Sequence, residues 1–185
     1  MATDFSTVAD DFFVNLTLET VVDLPNSGET VLHFCEAVGK QFPEMINFYR
    51  REDDTGRPRS GPYVLEGDRE ADSYQWMELQ GNQLTAGWFN PPSAQAAYDM
   101  HAWLLDRCVY FLGVSGIDVD SMEICLGFNL DFQGNRDALV AATLLGGSSL
   151  STLTGETDLP ILECEPNLVF ALDELTESSE CGAVG

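Results

Sequence analysis

Positive charge is scarce in this chain: Lys40 is its single lysine, and Lys and Arg together number 8 against 31 Asp and Glu, a formal net charge of -23. A polyanion of this size is repelled by phosphate backbones and by anionic lipid headgroups, which argues against direct nucleic-acid binding and against a membrane surface. Histidine is scarcer still, with His33 and His101 alone, and no H-x-x-x-H spacing exists for zinc. The cysteines Cys35, Cys108, Cys125, Cys164 and Cys181 are widely spaced and form no C-x-x-C pair, so reduced, mostly buried thiols are expected. There is no P-loop, no G-x-G-x-x-G after a strand and no G-x-S-x-G, which leaves nucleotide and serine-hydrolase chemistry without an anchor. No run of eighteen uncharged apolar residues occurs, and Met1 to Asp11 carries three aspartates and no basic residue. The expectation is a cytoplasmic protein with no catalytic residues, no cofactor and no metal.

What is present is an ordinary core. Hydrophobic residues make up 44% and aromatics 10%, too apolar for a disordered chain. Its 185 residues fit a single α+β domain over 12–172, with a flexible N-terminus at 1–11 and an acidic C-terminal tail at 173–185. The acidic residues are spread along the chain without a long block, so the charge belongs to the surface. A salty cytosol, plain solubility or mimicry of a phosphate array would each produce it.

Periodicity supplies the elements. Phe12, Val14, Leu16, Leu18, Val22 and Leu24 alternate with polar residues, the pattern of a strand with one wet face. Ser27 then caps a helix carrying Val31, Phe34, Cys35, Val38 and Phe42, which Pro43 ends. A short strand at Met45 to Tyr49 and an Arg-rich loop to Gly61 precede strands Tyr63 to Glu66, Tyr74 to Leu79 and Leu84 to Phe89; the last two meet across Gly81 and Asn82 as a tight hairpin. A long helix runs from Ala94 to about Leu112, followed by a strand with apolar Met122, Ile124, Leu126, Phe128, Leu130 and Phe132. A helix from Asn135 to about Leu145, a Gly/Ser/Thr-rich link and a strand near Leu168 to Leu172 complete the reading. One-sided strands predict a mostly antiparallel sheet with two or three helices packed on one face.

The long helix holds the candidate site. Turning about 100° per residue puts Ala97, His101, Leu104, Leu105, Cys108 and Leu112 on a core face, and Gln95, Asp99, Asp106 and Arg107 opposite. Trp103 and Tyr110 fall in the middle of that polar stripe. Large aromatics rimmed by charge have the composition of a protein interface, so Trp103, Tyr110, Asp99, Asp106 and Arg107 are the expected partner-binding residues. The cluster Arg50, Arg51, Arg57 and Arg59 reads as internally paired with Glu52, Asp53 and Asp54; His33 reads as solvent-facing and His101 as a satisfied core or boundary histidine. Asp118, Asp120 and Glu123 lack the ligand spacing and central glycine of an EF-hand.

The stretches YQWMELQGNQLTAGWF and MEICLGFNLDFQGNRDALVAATLL are similar to the hairpin and terminal strand-helix pair of the acidic type III secretion chaperone-like family, and the element order from Phe34 to Leu145 resembles that fold. The strands at Phe12 to Leu24 and Leu168 to Leu172 stand outside the resemblance. It implies a small acidic homodimer that binds client segments through exposed apolar patches and has no catalytic residues. The leading expectation is therefore a non-enzymatic, chaperone-like interaction protein, partnered by a second copy or another protein. Two alternatives come from other classes: an acidic decoy that occupies a basic, nucleic-acid-binding protein, and a small-ligand binder or enzyme with a pocket between the sheet and the long helix, near His101, Trp76 or Trp88.

Overall fold

The computed structural model describes residues 9–25, 27–52, 61–148, 161, 163 and 164. The chain forms two compact units, 1–131 and 132–185. The first contains six strands and two helices, in the order β1 (Asp11–Thr20), α1 (Gly28–Gln41), β2 (Asn47–Arg50), β3 (Tyr63–Glu66), β4 (Tyr74–Gln80), β5 (Gln83–Phe89), α2 (Ala94–Phe111) and β6 (Val119–Asn129). The fold is α+β. All six strands join one antiparallel sheet, ordered β2-β3-β4-β5-β1-β6.

The first strand in sequence is thus interior to the sheet, paired with β5 on one side and β6 on the other. Its strict alternation explains that position. Phe12, Val14, Leu16 and Leu18 all turn to the helix-covered face and are buried, while the odd-numbered residues face the other way. The strand ends at Thr20 and does not continue to Leu24 as its alternation predicts. Thr20 is locked to the β4–β5 turn: its N–H and hydroxyl both donate to the Asn82 carbonyl, and Asn82 Nδ2 donates back to the Thr20 carbonyl at 2.8 Å. The single Thr20 hydroxyl proton is shared between the Asn82 carbonyl and the Val22 carbonyl, where the chain bends away. The turn itself is made by Gly81 at a φ of 56° and Asn82, the Gly-Asn hairpin the sequence announces.

Both helices start at serine caps. Ser27 Oγ accepts from the Thr30 N–H and Ser93 Oγ from the Ala96 N–H. α1 ends before Pro43, and Gly113 at a φ of 69° releases the chain just after α2. Val31, Phe34, Cys35 and Val38 of α1 and Met100, Leu104 and Cys108 of α2 enclose one core with Leu18, Leu65, Met77, Leu79 and Leu84 of the sheet. α2 lies over β1 and β5, and α1 over β3. The opposite face of the sheet carries no helix of this unit among the described residues.

In the second unit, Asn135 caps α3 (Arg136–Leu145) by accepting from the Ala138 N–H, and Asp137 accepts from the Cys164 N–H at 3.0 Å. That bond is the first cause holding the Asp137 carboxyl below the usual carboxylate range. The strand expected at Leu168 to Leu172 lies outside the described residues.

Candidate interaction surface

The sheet has two edges, and the sequence treats them differently. β2 is four residues long and ends in Arg50, whose guanidinium donates to the Gly61 carbonyl and lies 4.5 Å from the Tyr63 ring centre. Short edge strands that end in charge resist pairing with other chains. β6 has the opposite character. It is eleven residues long, pairs on one side only among the described residues, and carries no proline and no basic residue.

Its pairing with β1 sets Leu18 opposite Met122, Leu16 opposite Ile124, Val14 opposite Leu126 and Phe12 opposite Phe128. The four apolar residues of β6 therefore stand on the helix side of the sheet, in line with the most buried residues of β1. Met122, Ile124 and Leu126 are nonetheless 55%, 45% and 39% exposed. The Phe128 ring stacks on Phe12 at 6.4 Å, which fixes the end of the row. Leu130 continues it, also exposed. At the other end the 115–118 turn is tied by Asp118, which accepts from the N–H and hydroxyl of Ser115; these bonds hold its carboxyl below the ordinary value. A contiguous exposed apolar row on an edge strand marks an association site.

The residues expected on α2 are divided by the structure. Tyr110 is 78% exposed, with its ring edge against Phe111, and Val109 beside it is also exposed. Trp103, expected to be exposed, is partly covered. Phe42, the residue that closes α1, meets its indole edge-on at 5.3 Å, and the Arg107 guanidinium lies 5.3 Å from its ring centre. Helical periodicity within α2 cannot register a ring delivered by α1. Asp99 accepts from Gln95 Nε2, and Asp106 lies 3.8 Å from Arg107, so the charged rim is largely engaged within the helix.

The cavity considered near His101, Trp76 and Trp88 does not exist as one site. His101 is in the closed core, 2% exposed, and neither ring nitrogen has a hydrogen-bond partner among the described residues, contrary to the satisfied histidine expected. Burial pushes its pKa down to about 4. Trp76 stands on the other side of the sheet: its neighbours in β4, Gln75 and Met77, point into the core, and it points away. Trp88 is on the core side, its indole N–H donating to Ser73 Oγ at 2.9 Å. Burial likewise pushes the thiols of Cys35 and Cys108 up to about 12. Cys125, on β6, is exposed.

Of the arginine cluster, Arg50 belongs to β2 and Arg51 makes a bidentate pair with Glu78 at 2.9 and 3.1 Å, a partner far along the chain; Asp53 and Asp54 lie outside the described residues. Arg57 and Arg59 lie outside the described residues. His33 is exposed. Among the described residues no group of three His, Cys, Asp or Glu side chains is placed to hold a metal, and no helix is long and apolar enough to cross a membrane. No protein-family model and no curated protein matches this sequence.

Proposed function

We propose that this chain is a protein-interaction module that associates through the open edge of β6, and that its first partner is a second copy of itself. The observation that carries the reading is the exposed apolar row Met122, Ile124 and Leu126 on an eleven-residue strand that ends the sheet of the described residues. Two β6 strands paired antiparallel about a two-fold axis would set apolar row beside apolar row, because side chains alternate with period two on both copies. From Met122 to Phe128 the strand bears one carboxylate, Glu123, on the opposite face, so the repulsion between two polyanions is weakest along this line.

Magnitudes decide what kind of complex this is. Burying the exposed half of three large apolar side chains stabilises by about 1 kcal/mol each, or about 6 kcal/mol over two copies. Association costs about 4–15 kcal/mol in lost freedom, so side-chain burial alone leaves the dimer marginal and the new strand ladder must tip it. The dimer should then be salt-strengthened, since screening removes the repulsion between like-charged copies. The resemblance to secretion chaperones points to the same class of function, a small acidic protein that holds other chains by apolar contact. The α2 face around Tyr110 is the second reading, supported by the exposure of Tyr110 and Val109.

Light scattering on the size-exclusion peak separates the two. The wild type is expected to dimerise, more tightly at high salt. Ile124→Lys should give a folded monomer, and Trp103→Ser/Tyr110→Ser should leave the dimer intact. A wild type that stays monomeric at every concentration and salt, or an Ile124→Lys protein that still dimerises, overturns the β6 reading. A dimer lost only in the α2 variant moves the interface to α2.

A further inference from the structure

The helix-free face of the sheet carries a groove of about 350 Å³ that the dimer edge does not use. Strand register builds it. On β4, β5, β1 and β6 the outward residues Tyr74, Phe89, Phe13 and Gly127 stand opposite one another, and the next outward row is Trp76, Gly87, Asn15 and Cys125. Each row contains a glycine where a side chain would spoil the surface. A Cβ on Gly127 would fall within the Phe13 ring, and one on Gly87 would collide with Asn15 Oδ1 and the Trp76 indole. Without them Phe13 lies across β6 and Trp76 across β5. Tyr74 and Phe89 are stacked, 5.3 Å apart at 25°. Strands are spaced by about 4.8 Å, so these rings, borne on three strands, line one groove.

Two polar features define what the platform would take. Asn15 Oδ1, on the groove floor, is buried and accepts no hydrogen bond among the described residues; it calls for a donor. Around the rings the outward positions of β1, β3, β4 and β6 supply Asp11, Glu19, Glu66, Glu78 and Glu123. Arg69, which lines the groove, is paired with Glu66, and Arg51 with Glu78, which leaves Asp11, Glu19 and Glu123 outside these pairs as the carboxylates available to a cation. Aromatic platforms on open sheets also stack nucleobases, but a chain of net charge -23 repels the attached phosphates. A flat cation that stacks on rings while donating from its edge satisfies every feature: π faces, a lone acceptor and a border of carboxylates.

We propose that this groove binds an arginine side chain presented by a partner protein, its guanidinium stacked on the Trp76–Phe13 platform and donating to Asn15 Oδ1. The test is calorimetric titration with the capped peptide Gly-Arg-Gly-Arg-Gly at fixed physiological salt, compared with its citrulline analogue and with free arginine. The arginine peptide should bind, the isosteric but uncharged citrulline peptide should not, and free arginine should bind more weakly than the peptide. Trp76→Leu should weaken binding about ten-fold, as loss of one cation–π partner does, and Val109→Ser on the helix side should leave it unchanged. Phe13→Leu gives the same readout if Trp76→Leu does not fold. Equal binding of the citrulline peptide, or unchanged affinity in a folded platform variant, overturns the site; free arginine binding as tightly as the peptide overturns the protein source.

Discussion

Acidification should destabilise the wild type relative to His101→Leu by an amount the buried imidazole sets. His101 sits in the closed face of α2, and desolvation lowers its pKa from 6.5 to about 4. The sign follows from which state holds the proton. Above pH 6.5 the ring is neutral both folded and unfolded, and nothing is lost. Between 6.5 and about 4 the unfolded chain binds a proton that the folded chain refuses, so stability falls by about 1.4 kcal/mol for each pH unit. Below pH 4 both states are protonated and the loss levels off, at about 3 kcal/mol in all. In His101→Leu this loss is absent, and the two buried nitrogens without partners are replaced by carbon, which offsets the change of shape. Urea unfolding followed by tryptophan fluorescence at a series of pH values from 7 to 4 measures both proteins. Their difference cancels the titration of the many carboxylates, which the two share. A gap between wild type and variant that widens by about 3 kcal/mol as the pH falls supports the reasoning. A constant gap would refute it, and would mean that the core opens to water or to a partner group at His101.

Two further outcomes follow from the same packing. Gly127→Val forces the Phe13 ring off β6, and despite the gain of a strand-favouring residue it should cost about 1–3 kcal/mol and lower the melting temperature; a higher melting temperature would show that the ring moves freely. In the native protein a thiol reagent should modify Cys125 rapidly, while Cys35 and Cys108, buried and with thiols raised to about 12, react only on unfolding; peptide mapping after a short exposure checks the order, and equal labelling of Cys35 and Cys125 would contradict the closed core.

Local rules made much of this fold legible in the sequence. The alternation of Phe12 to Leu18 fixes a strand and its inward face, Ser27 sets the start of α1, the Gly81–Asn82 pair dictates a hairpin, and Gly113 marks where α2 stops. Each is decided by residues within a few positions of one another, through pleat, cap or turn. One-sided strands likewise implied an antiparallel sheet covered on one face, and that is the fold. What the sequence could not decide is adjacency between distant segments. The pattern of Met122 to Phe128 defines an apolar face, but only the position of β6 at the end of the sheet of the described residues leaves Met122, Ile124 and Leu126 exposed. Helical spacing placed Trp103 outward, and only Phe42 arriving from α1 covers it. His101 and Trp76, alternative places for a pocket by sequence, are separated by the thickness of the sheet. Phe13, Asn15, Trp76 and Phe89, on three strands and up to 76 positions apart, become a single surface only through strand register, because hydrogen-bonded pairing, not chain order, determines which side chains meet.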